Sequence, residues 1–160
     1  MKPVILLRRP ASESPTHRAL WATPFGTMEL RGSKNALHES QFIDDVSATP
    51  EPLPAPWDKV DHPLNLAVHA TEFQCQVWQA LLSVEAGFTL SYRALAEKIQ
   101  RPMATRAVAN AVAANPLPGI IPCHRIIRQN GQLGGYSQRP WRKAALLNAE
   151  SKGSTLYAIC

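Results

Sequence analysis

The residues best suited to chemistry in this chain are Cys123 and His124, which follow one another directly after Pro122. A cysteine attacks as its thiolate, and that form is favoured where an imidazole can take the proton and a cation lies nearby. His124 supplies the imidazole and Arg125 the cation. The pattern therefore makes Cys123 a candidate nucleophile, although a Cys-His dipeptide taken alone is more often structural.

The segment around the cysteine decides whether the two side chains can cooperate. Its β-branched residues predict an extended stretch over residues 122–127. Neighbouring side chains on a strand point to opposite faces, so the thiol and the imidazole would need a turn or a bridging water to communicate. The preceding residues include Pro116, Pro118 and Gly119. The cysteine is therefore expected where an irregular loop enters an extended segment.

The elements that must position this segment are predicted to be helical. Thr71-Glu-Phe-Gln74 is a capping-box pattern ahead of apolar residues at helical spacing. Three further helices are predicted over Tyr92–Ile99, Ala104–Ala114 and Pro140–Glu150. Ser91 is expected to cap the second helix. The third should stop near Asn115, because a proline follows it.

The second and third predicted helices are separated by a four-residue break, which is the pattern of a helix-turn-helix. One face of the third helix, with Val108, Ala111 and Val112, should pack on the core. The predicted DNA-binding residues of this helix are mostly small, and they are Arg106, Ala107, Ala109, Asn110 and Ala113. Such a surface permits close approach to a duplex without selecting a sequence. From this pattern alone, an alanine-rich core helix remains an alternative.

Charge and composition narrow the classes of partner. Residues 67–160 hold ten Lys/Arg and four Asp/Glu, a balance of +6, and they contain no aspartate. That distribution suits a phosphate backbone, although a basic solvated surface would give the same numbers. No apolar run is long enough to span a membrane or to form a signal peptide.

Cysteine usage indicates a reducing compartment. An odd number of cysteines without an export signal predicts free thiols rather than a disulfide framework. The cysteines are Cys75, Cys123 and Cys160, and no role is expected for the first or the last. Because no paired-ligand spacing is present, the sequence predicts no metal site.

The N-terminal part is predicted to be a small β-containing piece. Ala19–Trp21 and Met28–Arg31 flank a turn, and Ala36–Asp45 could add another strand. Residues 48–63 contain five prolines and predict an irregular linker. We therefore expect an α+β fold with two domains. Residues 1–63 would hold a β-hairpin or small sheet plus the linker, and residues 64–160 a mainly helical domain with a winged-helix-like helix-turn-helix.

Several separated motifs together resemble the O6-alkylguanine-DNA alkyltransferase family, also called methylated-DNA–protein-cysteine methyltransferases. The run from Asn115 to Ile127, with Ile-Ile-Pro-Cys-His-Arg at its centre, resembles the active-site signature of that family. The resemblance extends over about residues 67–150. Its other motifs are, in order, Thr71-Glu-Phe-Gln74, Ser91-Tyr92, Arg106-Ala-Val108, Gly134-Gly-Tyr-Ser137 and the helix from Lys143 to Glu150. An ordered match of this many motifs is highly specific.

The resemblance implies a site in which Cys123 accepts an alkyl group. His124 would take the thiol proton through a water molecule, and Glu150 would orient and polarise that histidine, in the manner of other thiol-activating triads. Tyr92 would donate a hydrogen bond to the guanine as it leaves.

The resemblance also implies how the base is reached and held. A guanine inside a duplex is inaccessible, so the nucleotide must be rotated outward. Arg106 would fill the gap in the base stack, and Asn115 would be the hinge between the recognition helix and the active-site loop. Tyr136 and Ser137 would line the guanine pocket. The backbone carbonyls of Cys123 and Ile126 would receive the guanine amino group.

These implications give one expected function, which is DNA repair by irreversible, single-turnover transfer of an alkyl group, such as methyl, from O6-alkylguanine to Cys123. O4-alkylthymine is a further candidate substrate. The expected partner is double-stranded DNA carrying the lesion, with no cofactor, no metal and no membrane. The protein is expected to be a monomer in the cytoplasm, associated with the nucleoid through DNA.

Two alternatives come from other classes. A damage sensor without chemistry would share the fold, but such proteins lack the cysteine. A thiol hydrolase would use Cys123 and His124, but it would leave the basic helix-turn-helix unexplained.

Overall fold

The computed structural model describes residues 4–8, 14–44 and 64–154. The described residues up to His69 form one compact unit, and those from Ala70 onward form a second. The predicted domain boundary follows residue 63, whereas the strand Leu64–Val68 pairs within the sheet of the first unit. The predicted linker over residues 48–63 and Cys160 lie outside the described residues.

The first unit contains a five-stranded sheet. Its strands are β1 Val4–Arg8, β2 His17–Thr23, β3 Gly26–Ser33, β4 Ala36–Ile43 and β5 Leu64–Val68. Their order across the sheet is β1-β5-β4-β3-β2. Strands β2, β3 and β4 pair in antiparallel fashion, whereas β5 pairs in parallel with both β1 and β4. The predicted strands before and after the turn are present, while β1 and β5 were not predicted.

The tight turn between β2 and β3 explains the predicted hairpin. Pro24 and Phe25 form the two-residue connection, since Thr23 pairs with Gly26 across it. The hydroxyl of Thr23 donates to the Gly26 carbonyl oxygen at 2.7 Å and accepts from the Phe25 backbone N–H at 3.1 Å. Gly26 has a positive φ of 116°, which favours glycine.

The second unit is mainly helical. Its helices are α1 Glu72–Leu82, α2 Tyr92–Lys98, α3 Thr105–Ala113 and α4 Pro140–Ser151. The predicted capping box is present, because Thr71 accepts from the backbone of Gln74 at 3.1 Å and the Gln74 side chain accepts from the backbone of Thr71 at 2.9 Å. Ser91 caps α2 as expected, accepting from the Ala94 backbone N–H at 3.0 Å. None of the helices in the described part of the chain is long and apolar enough to cross a membrane.

Helices α2 and α3 form the predicted helix-turn-helix, with a 3₁₀ turn at Pro102–Ala104 between them. Val108, Ala111 and Val112 are buried, as expected for the core-facing side of α3. The indole N–H of Trp78 on α1 donates to the Ala111 carbonyl oxygen at 2.8 Å, which fixes α3 against α1.

The segment around the cysteine is not extended, and this part of the prediction is wrong. Cys123–Arg125 form a 3₁₀ turn, in which the Arg125 backbone N–H donates to the Pro122 carbonyl oxygen at 3.1 Å. Only Ile126–Ile127 form a strand, β7, which pairs in parallel with β6 at Leu90–Ser91. This pairing brings the start of α2, at Tyr92, beside the cysteine turn.

Candidate active site

The sulfur of Cys123 is held in a buried turn by a side-chain amide. Asn115 Nδ2 donates to Cys123 Sγ at 3.1 Å and to the Ile121 carbonyl oxygen at 2.9 Å. Asn115 Oδ1 accepts from the Leu117 backbone N–H at 2.9 Å. Because the amide oxygen is occupied by a backbone donor, the nitrogen must be the atom that faces the sulfur. Asn115 therefore connects the end of α3 to the cysteine turn and favours negative charge on Sγ.

Glu150, near the end of α4, binds the two residues that follow the cysteine. His124 is fully buried, and its Nε2 lies 2.8 Å from Glu150 Oε1. Arg125 donates from Nη2 to Oε1 at 2.8 Å and from Nε to Oε2 at 3.0 Å. Arg125 Nη1 also donates to the Val84 carbonyl oxygen. These bonds fix the 3₁₀ turn against α4.

The protonation states of this network follow from its hydrogen bonds. Burial opposes ionisation of Glu150, but the hydrogen bonds from His124 and Arg125 outweigh it and lower the pKa of the carboxyl to about 2. A carboxylate can only accept, so His124 Nε2 carries a proton. Burial lowers the pKa of the His124 imidazole in spite of Glu150. The ring is therefore neutral at neutral pH, with its lone pair on Nδ1.

His124 Nδ1 is positioned to accept a further proton. This atom is buried and has no hydrogen-bond partner within residues 4–8, 14–44 and 64–154. Protonation there would leave the Nε2 bond to Glu150 intact, and the carboxylate would stabilise the resulting cation. The histidine can therefore serve as a base without rearrangement of its partner.

The thiol and two phenols nearby are protonated at rest. Burial raises the pKa of the Cys123 thiol, although the Asn115 hydrogen bond and the charge of Lys143 oppose that effect. Burial also raises the pKa of Tyr92 and of Tyr136, and charge on Cys123 raises both further. The Tyr136 hydroxyl is buried without a partner in the part of the chain that the structure describes. The site thus needs a base for the thiol, and it offers phenolic donors.

A cavity of about 340 Å³ opens beside the sulfur. Its walls combine apolar surface with two phenols and one hydroxyl, from Tyr92, Val112, Ala113, Cys123, Gly135, Tyr136 and Ser137. Small-molecule pockets begin at roughly 300 Å³, so the space suits a group the size of a nucleobase.

The predicted DNA-binding residues lie on the outer side of α3. Arg106, Ala107, Asn110 and Ala113 are exposed, and Ala109 is half-buried. Ala113 also lines the cavity. The outer surface of the helix therefore meets the mouth of the cavity at this residue.

Two of the four predicted pocket residues, Tyr136 and Ser137, line the cavity, while Asn115 binds the sulfur without being among the lining residues. The Ile126 side chain is fully buried and is not part of the cavity wall, and its carbonyl oxygen accepts from Lys143 Nζ. Arg125, expected as a cation beside the thiol, binds Glu150 instead. Lys143 was predicted only as the start of the closing helix motif, because charged side chains are rarely fully buried and its position in the sequence does not indicate burial.

Fold and site together define a helix-turn-helix protein whose buried cysteine opens on a base-sized cavity. Residues 72–152 match the family model described as the DNA binding domain of 6-O-methylguanine DNA methyltransferase. The chain is 35% identical over 148 residues to a methylated-DNA–protein-cysteine methyltransferase of Mycobacterium leprae, covering 80% of this chain and 88% of that one.

Two further relatives are similar to this chain and point to the same family. The bifunctional transcriptional activator/DNA repair enzyme Ada of Escherichia coli is 44% identical over 115 residues, which cover 72% of this chain but only 30% of that longer protein. The crystal structure of Mycobacterium tuberculosis OGT in complex with DNA matches with a TM-score of 0.75 at 32% identity, covering 87% of this chain and 95% of that chain. The chain belongs to the O6-methylguanine-DNA methyltransferase family. The family and the fold class predicted from the sequence are thereby confirmed, and the Mycobacterium leprae relative carries the name of the predicted enzyme class.

Proposed function

We propose that this protein repairs DNA by moving an alkyl group from O6 of a modified guanine to Sγ of Cys123, once per molecule. The observation that carries the proposal is the placement of Sγ in the wall of a base-sized cavity, with the Asn115 amide nitrogen 3.1 Å from it. Family membership supports the type of reaction. O4-alkylthymine would be a second substrate, because it offers a similar alkyl–oxygen bond.

The transfer forms one bond and breaks one. The thiol proton passes to His124 Nδ1 through a water molecule, and the sulfur forms a bond to the alkyl carbon as that carbon separates from O6. The electron pair of the broken bond stays with the guanine, which takes a proton from water, and His124 returns the thiol proton to water, so that the protons balance. Tyr92 would donate a hydrogen bond that stabilises this leaving group. The product is a thioether, which water does not readily attack, so the protein acts once.

The proposed partner is double-stranded DNA carrying the lesion. The exposed small residues of α3 permit close approach, and Arg106 would enter the stack where the nucleotide has left it. Because Ala113 belongs both to the outer side of α3 and to the cavity wall, a nucleotide rotated out of a duplex on α3 would have a short route to Cys123. The net charge of +6 over residues 67–160 favours phosphate binding.

The remaining assignments follow from this chemistry. Every proposed catalytic group lies after residue 70, so we assign the activity to the second, mainly helical unit, which begins at Ala70. These groups come from a single chain, which suits a monomer. The alkyl group moves directly to sulfur, so no cofactor is required. Action on the chromosome would place the protein in the cytoplasm, associated with the nucleoid.

Peptide mass measurement after reaction with a duplex containing one O6-methylguanine tests the proposal. We expect the Cys123 peptide to gain the mass of one methyl group in place of hydrogen, and the Cys75 peptide to stay unchanged. A Cys123→Ser variant should bind the duplex but gain no mass, whereas Cys75→Ser should behave as the parent protein does. Methylation at another residue, or none at all, would refute the proposal.

The same reaction separates the alternatives. A damage sensor would bind the lesion and leave both the lesion and Cys123 unchanged. A thiol hydrolase would form more product than the protein present and would recover an unmodified Cys123. A single methyl group retained on Cys123 is consistent with neither.

A further inference from the structure

Lys143 is a buried cation that the proposed chemistry has not yet used. The residue is 1% exposed, and its Nζ donates to the carbonyl oxygens of Ile126 at 2.5 Å and Gly135 at 3.4 Å. Among the residues that the structure describes, no carboxylate forms an ion pair with it. A buried ammonium without a counter-charge is unfavourable, so its position needs an explanation.

The contacts of Lys143 join the two sides of the active site. Ile126 follows the 3₁₀ turn that carries the nucleophile, and Gly135 belongs to the cavity wall. On α4, Lys143 and Glu150 are seven residues apart and both are buried, which places them on one face of the helix. This face therefore presents Glu150 to the histidine, and it presents Lys143 to the carbonyl of β7 and to the cavity wall.

Lys143 is the cation whose charge acts on the Cys123 thiol. The charges of Arg128 and Arg142 act on Tyr92 and Tyr136, and Arg125 is paired with Glu150. Tyr92 and Tyr136 stay protonated, and therefore neutral, because burial raises the pKa of each. His124 is neutral at rest, because burial lowers the pKa of its imidazole. Burial raises the pKa of the Cys123 thiol and lowers the pKa of Lys143, and the charge of each group opposes that effect on the other. The two groups thus stabilise each other in their charged forms.

We propose that Lys143 is the counter-ion of the Cys123 thiolate, with its ammonium held by the carbonyls of Ile126 and Gly135 at a point where it stabilises the sulfur anion formed when the proton leaves. Lys143 does not bind the alkyl group or the base, so it is a positioning residue. This inference rests on the proposed alkyl transfer, because that reaction is what requires a thiolate at Cys123. The ionisation of Cys123, however, can be measured without DNA.

The test follows the alkylation of Cys123 by iodoacetamide across a range of pH, with the Cys123 peptide read by mass so that other thiols do not interfere. The variants are Lys143→Met, which keeps the length and removes the charge, and Lys143→Arg, which keeps the charge. Lys152→Met is the matched control, because Lys152 is an exposed lysine at the end of the same helix.

We expect Lys143→Met to raise the pKa of the Cys123 thiol by about one unit or more, and so to slow alkylation at neutral pH about tenfold. Lys143→Arg should retain most of the reactivity, and Lys152→Met all of it. A Lys143→Met variant that folds and alkylates with the parent pH profile would overturn the proposal. An arginine variant as slow as the methionine variant would also overturn it.

Thermal unfolding establishes that the variants are folded before rates are compared. If the methionine variant does not fold, Lys143→Gln replaces it in the comparison with Lys143→Arg. The inference and the proposed function fail separately. Loss of lesion transfer in the parent protein refutes alkyl transfer, whereas an unshifted thiol pKa in the neutral variants refutes the role of Lys143.

Discussion

Replacement of Glu150 by glutamine should reveal how much the contacts of its carboxylate with His124 and Arg125 contribute to the stability of the fold. Glu150 is 4% exposed, and its partners lower the pKa of the carboxyl from 4.5 to about 2. At about 1.4 kcal/mol for each pH unit, this difference corresponds to roughly 3 kcal/mol of folding stability at neutral pH. The substitution keeps the shape of the side chain but leaves Arg125 as a buried cation without a counter-charge, which costs a similar amount.

The pH dependence of this effect has a definite sign. Because the pKa of the carboxyl is lower in the folded state, its contribution is complete above about pH 4.5 and is lost as the pH falls toward about 2. Glu150→Gln should therefore be less stable than the parent protein by about 3 kcal/mol at neutral pH. This difference should shrink progressively on acidification through that window.

Urea unfolding at neutral pH and at several acidic pH values measures the loss of stability in Glu150→Gln and the dependence of that loss on pH. Glu97→Gln is the control, because Glu97 forms an exposed ion pair with Arg93 at 3.1 Å, four residues away on α2. Such a pair contributes about 0.5 kcal/mol or less. The reasoning is refuted if Glu150→Gln is as stable as Glu97→Gln, or if its deficit does not change with pH.

Three further substitutions test other parts of the site. Asn115→Ala removes the 3.1 Å donor to Sγ and should slow single-turnover methyl transfer by about tenfold or more; an unchanged rate would contradict the assigned hydrogen bond. Tyr92→Phe removes the proposed donor to the leaving guanine and should slow transfer about 100-fold, with duplex affinity unchanged in gel-shift titrations. If affinity falls in parallel with the rate, Tyr92 acts in binding instead. Arg106→Ala should slow transfer from duplex DNA about tenfold but leave transfer from the free base O6-methylguanine unchanged, and equal losses with both substrates would count against a role in base rotation.

Local signals in the sequence were sufficient for most of the helical unit. The capping box at Thr71–Gln74 and the serine cap at Ser91 are short-range hydrogen-bond patterns, and both occur in the structure as expected. Asn115 before a proline ends α3 where the backbone geometry requires it. The ordered motifs around Cys123 singled out the cysteine that lines the cavity beside Asn115, because residue types and distances along the chain are enough for that purpose.

The pairing of strands that are distant along the chain could not be predicted from the sequence. Strands β1 and β5 are short and pair in parallel, so their partners are distant in the chain and no turn signal connects them. The 3₁₀ turn at Cys123 was also missed, since β-branched neighbours favour a strand and the competing hydrogen bonds of the loop appear only in the folded chain. The burial of charged side chains also could not be predicted from the sequence. The burial of Arg125 and Lys143 depends on partners contributed by other elements.

A stoichiometric titration tests the central claim, that Cys123 is itself consumed, most directly. A fixed amount of protein is mixed with increasing amounts of a duplex carrying one O6-methylguanine, and the lesions that remain are counted. We predict removal in proportion to the protein up to one lesion per molecule and then none, with the spent protein inert toward a second addition. Lesion removal that continues past equivalence, or that persists in Cys123→Ser, would contradict the account.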